Sequence, residues 1–404
     1  MRARLAVIEA HDRGQDSDEF TLVANSSTTR PAYRGGMLLD RGRLLGWRLA
    51  RQALDPASGT DVVDVVRRVV ALRGWPADLA DLAVTVRQAQ PEPGALGRAL
   101  DEGILIRSYA FRGGSYVFTH EIGAVLLAIR TATRIWETRR YQQQGNFALD
   151  DWEPLREAVR EALASGPKTR GEIGAHLARI PNLRHLAVGA AGAGSDSLYK
   201  PLHWWGDICF GPARDGQTTF RLLHGDPHWP GLPDVDEAGR RAVPLYLGTY
   251  GPATVDNLVY WFTEGLGVPR RRLFGWLADL GDEVAEVSTD TGKAYALAAD
   301  LDELRSAEPS DAVRLLPGFD PWVMGPGTAD PLIIAPERRA LATRGSNLVI
   351  WRGVVCGTWR IRGTDVMVSW FSEADVAPTS AIDRELRRLE SIQGRELRLT
   401  LDLV

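Results

Sequence analysis

The run Ile104-Leu105-Ile106-Arg107-Ser108-Tyr109-Ala110-Phe111-Arg112-Gly113-Gly114-Ser115-Tyr116-Val117-Phe118 decides the reading of the chain. Residues 104–108 and 115–118 are short and apolar enough for strands, and Arg112-Gly113-Gly114 between them supplies a turn that wants glycine. Upstream the period changes. Leu45, Leu49 and Leu54 space roughly as one helical face. Asp61 is placed to cap a helix whose Val62, Val65, Val66, Val69 and Val70 form a stripe, ended by Gly74-Trp75-Pro76. Residues 79–86 and 95–100 read as two further helical pieces. Helices followed by a β-hairpin describe a winged helix.

The same order recurs. Residues 152–164 carry apolar positions at Leu155, Val159 and Leu163, and Gly166-Pro167 breaks that helix. Thr169-Arg170-Gly171-Glu172 has the spacing of a capping box that opens residues 173–177. Residues 207–210 and 218–223 then form a hairpin around Asp215-Gly216. In a third round, Gly251-Pro252-Ala253-Thr254 leads into a helix carrying Leu258, Trp261 and Phe262. A helix at 273–280 follows, then a hairpin from 284–288 and 294–297. Beyond Pro309, strands are expected at Ile333-Ile334 and at 348–351, 354–359, 366–371 and 397–404, with a helix at 382–392. The expectation is an α+β protein, three tandem winged-helix units plus a β-rich C-terminal domain. Its segments are 1–40 as a leader, 41–148, 149–240 and 241–304 as the three units, and 305–404 as the β-rich domain. The leader, with its polar 11–18 stretch and its Asn25-Ser26-Ser27-Thr28-Thr29 cluster, reads equally as a mobile segment, an extra strand, or an upstream start read through to Met37.

Composition narrows the function classes. The chain has 404 residues, 44% hydrophobic and 25% charged, an ordinary globular balance. Its net charge of −4 argues mildly against nucleic acid, although binding depends on a local basic surface. Almost all the basic residues are arginine; the lysines are Lys168, Lys200 and Lys293. Cys209 and Cys356 are too few for a disulfide framework or a cysteine-rich zinc site, so a reduced, cytoplasmic setting is expected. No run approaches the roughly 20 apolar residues of a membrane span.

Five segments, in order, resemble the AlkZ-like winged-helix DNA glycosylase family. Leu49-Ala50-Arg51-Gln52 resembles its opening helix. Arg107 with Phe111-Arg112-Gly113-Gly114-Ser115-Tyr116-Val117-Phe118 resembles the end of its first winged helix. Tyr250-Gly251-Pro252-Ala253-Thr254 resembles its third unit, Leu315-Leu316-Pro317-Gly318-Phe319-Asp320-Pro321 its C-terminal module, and Gly357-Thr358-Trp359 a later part of that module. The resemblance implies a C-shaped protein around duplex DNA; a monomer with no cofactor or metal is expected. It also implies excision of alkylated bases and unhooking of interstrand crosslinks.

The family's Q-x-Q or Q-x-D motif has two candidate places here. Gln88-Ala89-Gln90 matches in letters. Counting from the opening helix and back from Arg107 puts the motif instead at Arg73-Gly74-Trp75, behind Leu72. Arginine is donor-only and cannot orient water as glutamine does. The hairpin departs too, with Gly114 where the family has Thr and Tyr116 where it has His. These departures fit a divergent branch with a different substrate, or loss of catalysis. A carboxylate could substitute for the glutamines; Asp78, Asp81 and Glu121 are the nearby acids, though Asp78 could serve as a cap and Glu121 as a first-turn acid. Trp75, Tyr116 and Trp204-Trp205 are candidates for stacking on an extruded base. Arg112, Arg270 and Arg271 are candidates for phosphate. With no lysine near the first unit in sequence, a Schiff-base route is not expected, and a monofunctional, water-using glycosylase is. His203, His224 and His228 lack partners at metal-ligand spacing, and Gly192-Ala193-Gly194-Ser195 lacks the lysine of a P-loop. Removal of a hypermodified phage base in antiviral defence, a non-catalytic winged-helix DNA binder, and a protein–protein adaptor remain alternatives.

Overall fold

The computed structural model describes residues 38–192 and 196–404. The leader's three readings, and most of the glycine-rich 192–195 run, lie outside the described residues. The described part of the chain carries four separate sheets, three of three strands and one of five.

In the first sheet Ile106–Tyr109 and Ser115–Phe118 form the expected hairpin, with Ile106 opposite Phe118. A two-residue strand, Leu72–Arg73, then adds to the hairpin's second strand, placing Leu72 opposite Val117 and Arg73 opposite Tyr116. Helices Val62–Val69, Ala77–Thr85 and Ala95–Asp101 precede the hairpin, and Asp61 caps the first by accepting from Asp64 N at 2.8 Å. The second sheet repeats the plan. Lys168–Thr169 pairs with Gln217–Leu222, which pairs with Ile208–Arg214. The Thr169/Glu172 capping box forms, with Thr169 N donating to Glu172 Oε2 at 2.7 Å.

The third sheet differs from the expectation. Its hairpin is Val284–Thr289 with Gly292–Leu297. The segment that leads into the unit's first helix contributes a bridge, Ala253 to Tyr295, with both N–H···O bonds at 2.8 Å, and no strand. The third strand comes from Leu38–Leu39, parallel to Val284–Thr289. Residues 38 and 39 therefore belong with the third unit and not with a leader. Helical pieces here include Val255–Leu258, which runs on into a π-helical turn, Val259–Leu266.

The C-terminal sheet has the order Val313–Leu316, Leu348–Trp351, Val354–Arg362, Asp365–Trp370, Arg398–Leu403, with the last strand parallel to its neighbour. Ile333-Ile334 is not a strand. Both residues are fully buried, but their N–H groups turn back onto Asp330 O at 3.1 Å, so burial and not period explains their composition.

Packing joins what the sequence separates. One apolar cluster runs from Phe111, Tyr116 and Phe118 through Trp204 and Phe220 to Tyr246, Trp261 and Trp276, so the first two small sheets share a core with the helices of the third unit, while the third sheet buries Leu39, Val287, Ala294 and Ala296 with Trp47 and Leu304 in a cluster of its own. The opening helix Arg41–Arg51 buries Leu44, Leu45 and Leu49 against Leu316, Trp322 and Ile350 of the C-terminal module. Arg87 and Asp320 form the deepest ionic link. Arg87 Nη1 and Nη2 donate to the two Asp320 carboxylate oxygens at 2.9 and 2.7 Å, and both side chains are essentially without solvent access. Removing one partner of such a pair leaves an uncompensated buried charge. Arg87→Met is expected to lose about 3 kcal/mol or more of unfolding free energy, read by urea titration. Arg87→Met/Asp320→Leu is expected to recover part of that loss, and a single-variant loss below about 1 kcal/mol would refute the assignment.

Candidate active site

The pairing of Arg73 with Tyr116 builds the site. Arg73 Nε donates to Trp75 O at 3.3 Å, and its guanidinium lies 4.6 Å from the centre of the Phe319 ring. Burial raises the pKa of the Tyr116 hydroxyl, and the neighbouring Arg73 pulls it the other way. Phe319 has φ +62, an unfavourable region for a bulky residue. Packing holds it there: a Cβ on Gly345 would sit 2.3 Å from the Phe319 ring, and one on Gly318 would sit 2.0 Å from Gly345 O. A strained residue presenting its ring to an arginine is the kind of outlier that marks functional sites.

The turn of the hairpin is the second part. Arg112 adopts φ 48, ψ 26 and leaves the protein surface half-exposed. It meets the π-helical turn: Arg112 Nη2 donates to Glu264 Oε2 at 2.9 Å, and its guanidinium lies 4.4 Å from the Tyr260 ring centre. π-turns inside helices recur at functional sites, because the extra residue re-aims the side chains around it. Behind the Arg112–Glu264 pair is a pocket walled by Phe111, Tyr116, Tyr250, Tyr260 and Trp261, closed on the C-terminal side by Pro321 and Met324. Phe111 packs on Tyr116 and Trp261 with ring centres 5.0 and 4.7 Å apart. Glycines let these rings approach the backbone. A Cβ on Gly265 would lie 2.9 Å from Phe111, and one on Gly325 would lie 2.1 Å from Tyr250.

The residues singled out from the sequence divide into three groups. Arg73, Tyr116 and Arg112 come together as described, and Trp75 stands next to them, 65% exposed. Asp78 and Glu121 are exposed first-turn acids of the helices Ala77–Thr85 and His120–Thr131. Asp78 is not a cap, since that helix has Pro76 at its N-cap with no side-chain bond. Asp81 is committed elsewhere, accepting from Gly94 N at 2.8 Å at the start of the next helix. Arg270 and Arg271 are exposed at the start of the helix Arg270–Asp279.

The third group is corrected by burial. Gln88 is 1% exposed, accepts from Glu92 N at 3.0 Å, and cannot meet a base; Gln90 is on the surface two residues away. The Gln88/Gln90 pair therefore does not present two amides to one site. Trp204 is 1% exposed, with Arg130 stacked 4.9 Å from its ring, so it is a core residue and not a stacking platform. Trp205 is half-buried and wedged edge-on between Trp136 and Trp152, at 4.9 and 5.1 Å. The premise that no lysine lies near the first unit also fails, because Lys200 Nζ would be 3.0 Å from a Cβ on Gly113. Sequence reading missed Tyr260, Glu264, Phe319 and Lys200 as site residues. Phe319 alone carried a signal, standing inside a recognised segment.

Among the described residues no three His, Cys, Asp or Glu side chains converge as a metal site requires. No helix among them is long and apolar enough to cross a membrane.

A family model described as DNA glycosylase AlkZ-like matches residues 65–392. An interstrand DNA cross-link repair glycosylase of Streptomyces sahachiroi is 29% identical over 359 residues, spanning 87% of this chain and 96% of that protein. The solved structure of the Streptomyces sahachiroi DNA glycosylase AlkZ is similar at a TM-score of 0.85 and 29% identity, covering 91% of this chain and 100% of the other.

The departures at 114 and 116 are linked by space. A Cβ on Gly114 would lie 3.3 Å from Tyr116 Cε2 and 3.5 Å from Arg73 Nη1, so a threonine crowds the tyrosine ring. Gly114→Thr is expected to cost about 1–2 kcal/mol of stability by overpacking, and about 1 kcal/mol of that is expected to return in Gly114→Thr/Tyr116→His. Additive effects in that double-mutant cycle, measured by thermal or urea unfolding, would separate the two positions.

Proposed function

The chain belongs to the AlkZ-like DNA glycosylase family, and we propose that it hydrolyses the N-glycosidic bond of a bulky modified nucleobase in duplex DNA, leaving an abasic site. The observation that carries this reading is the aromatic pocket behind Arg112, set beside the Arg73–Tyr116 pair. The three small sheets with their preceding helices are read as winged-helix units that curve around the duplex in a C shape, and the protein as a cytoplasmic monomer.

In this reading the target nucleotide leaves the stack and rests against Tyr260 and Arg112 at the pocket mouth, with the packed rings of Phe111, Tyr116 and Trp261 behind them, while the exposed Trp75 beside Arg73 fills the vacated space. Arg73, fixed on Phe319, sits where the family motif would lie and takes a phosphate flanking the extruded nucleotide. Glu264 is the carboxylate at the pocket mouth. Its pair with Arg112 is half-exposed on both sides and so weak. A DNA phosphate can take Arg112, freeing Glu264 to orient water and to stabilise the positive charge that grows on the sugar. This assigns to a third-unit glutamate the work that a glutamine pair does in the family.

The first substrate class follows the Streptomyces relative, an interstrand DNA cross-link repair glycosylase: interstrand crosslinks, with the alkylated bases that the family resemblance implies. A second reading, a hypermodified phage base removed in antiviral defence, is favoured by Arg73 and Trp75 at the motif positions. A stable glycosidic bond calls for a carboxylate in place of a glutamine pair.

Duplexes carrying N7- or N3-alkylpurine, an interstrand crosslink, or glucosylated hydroxymethylcytosine are each incubated with the protein, and alkali-labile breaks are counted. Breaks on one member name the substrate; binding without breaks on any member favours a non-catalytic DNA binder. Glu264→Gln is expected to slow base release about 100-fold or more with DNA affinity changed little, and rates within threefold of wild type would remove Glu264 from the chemistry. Trp75→Ala is expected to leave the melting temperature unchanged, because the side chain is mostly exposed. It is expected to weaken binding to a modified duplex by about tenfold, the worth of one base stack. Equal loss of stability and binding would make Trp75 a packing residue.

A further inference from the structure

The amine of Lys200 lies beside the same turn that carries the pocket's rim. Lys200 sits in the helix Asp196–Trp204, far from the turn in sequence. Its Nζ and Cε would lie 3.0 and 3.4 Å from a Cβ on Gly113. Gly113 is therefore a glycine twice over, with φ +71 and with the lysine in the space of its missing side chain. Its neighbours on the turn are Arg112, paired to Glu264, and Gly114, against Tyr116 and Arg73. Lysine, pocket rim and phosphate-seeking arginines thus meet at three consecutive residues, Arg112, Gly113 and Gly114.

Among the described residues Lys200 Nζ has no hydrogen-bond or ion-pair partner; its neighbour is the Tyr109 ring, 5.2 Å to the centre. The nearby carboxylate, Asp196, is engaged by Arg170 at 2.6 Å. Burial, with Arg130 and Arg170 close by, lowers the Lys200 pKa, while Asp196 works against that; His203, also near, is held neutral by its own burial. A partly buried amine without a partner is what a nucleophilic lysine needs, because only the neutral form attacks. The other lysines lack this setting. Lys293 is 77% exposed and paired with Glu286, and Lys168 belongs to the second unit's sheet.

We propose that Lys200 captures the abasic product of base release as a Schiff base and cleaves the strand by β-elimination. The proposal rests on the reading that the turn borders the base pocket. After water has released the base, the abasic sugar opens to its C1′ aldehyde. Lys200 Nζ adds to C1′, and loss of one water gives the protonated imine. Water removes a proton from C2′, the electron pair forms the C2′–C3′ double bond, and the C3′–O bond breaks. The downstream strand leaves with a 5′-phosphate, and one water hydrolyses the imine to return the amine. No oxidant, metal or cofactor enters the balance.

The test supplies the product directly, so that it does not depend on base release. A duplex with one abasic site, made from uracil-containing DNA with a uracil-specific glycosylase, is mixed with the full-length protein and sodium borohydride. Hydride reduces the imine and leaves a covalent protein–DNA band on a denaturing gel. The wild type is expected to give that band, with trapping that rises with pH to a midpoint below the ordinary lysine pKa of about 10.4. Lys200→Arg and Lys200→Gln are expected to lose at least 20-fold of it, while Lys168→Arg and Lys293→Arg keep it. Lys200→Arg with an unchanged melting temperature shows that the loss is chemical and not unfolding. No band with the wild type, or an undiminished band in both Lys200 variants, overturns the proposal. Trapping without base release on any duplex of the earlier panel would instead defeat the glycosylase substrate reading and leave Lys200 standing.

Discussion

Two charges with almost no access to water, Arg87 and Asp320, hold this structure in one geometry. Moving such a pair out of water costs several kcal/mol per ion unless every remaining donor and acceptor is met. Here most are: Arg87 also donates to Ala83 O at 2.8 Å, and Asp320 also accepts from Trp322 N at 2.8 Å. The helix Ala77–Thr85 and the segment from Leu315 to Pro321 are thereby locked together. Phe319 stands one residue before the carboxylate, and Pro321, one residue after it, lines the aromatic pocket. The segment that the ion pair anchors thus carries both the strained Phe319, on whose ring Arg73 lies, and a wall of the pocket.

The recognised segments have a common physical role, which is to brace one part of the chain against another. Arg48, buried next to Leu49-Ala50-Arg51-Gln52, donates to Gly251 O and Pro252 O at 3.2 and 2.7 Å. Tyr250 OH donates to Val69 O at 2.6 Å. Trp359 Nε1 donates to Leu316 O at 2.8 Å. Each brace ends on a main-chain carbonyl, so the side chain at the donor end is constrained and the residue at the acceptor end is not. Short ordered motifs scattered over the chain were therefore enough to read the fold class.

The site was legible only in part, for reasons particular to its residues. Glycines at 113 and 114 and the β-formers around them made the turn readable, and strand pairing alone puts Arg73 opposite Tyr116. Glu264 and Lys200 reach the turn from other units, more than 80 residues away in the chain, and no local period encodes such a meeting. A tryptophan looks alike in sequence whether it is Trp75 in solvent or Trp204 in the core. Gln88-Ala89-Gln90 matched a motif by letter, yet Gln88 follows the helix Ala77–Thr85 into the interior, held by a bridge to Gly59. The third unit's sheet takes its extra strand from Leu38–Leu39, before any of the three repeats begins, so counting repeats could not find it.

What an arginine does at the motif position turns on which π-faces remain open. An electron-rich ring attracts a cation, and a cationic N7-alkylpurine gains from stacking on Tyr or Trp. Arg73 already occupies Phe319, and Arg112 occupies Tyr260. Arg112 lines the pocket and Arg73 lies close to Tyr116 on its wall, so both charges would repel a cationic base. On the proposed function, DNA would change the balance, because a phosphate that draws Arg112 from Glu264 would also neutralise it and uncover the Tyr260 face. On the same reading, the carboxylate left at the mouth would then be free to face the sugar, and the pocket would accept a cationic base only once a phosphate has taken Arg112. Recognition of the modified base would thus be conditional on prior grip of the backbone, an order that an uncharged glutamine pair could not impose.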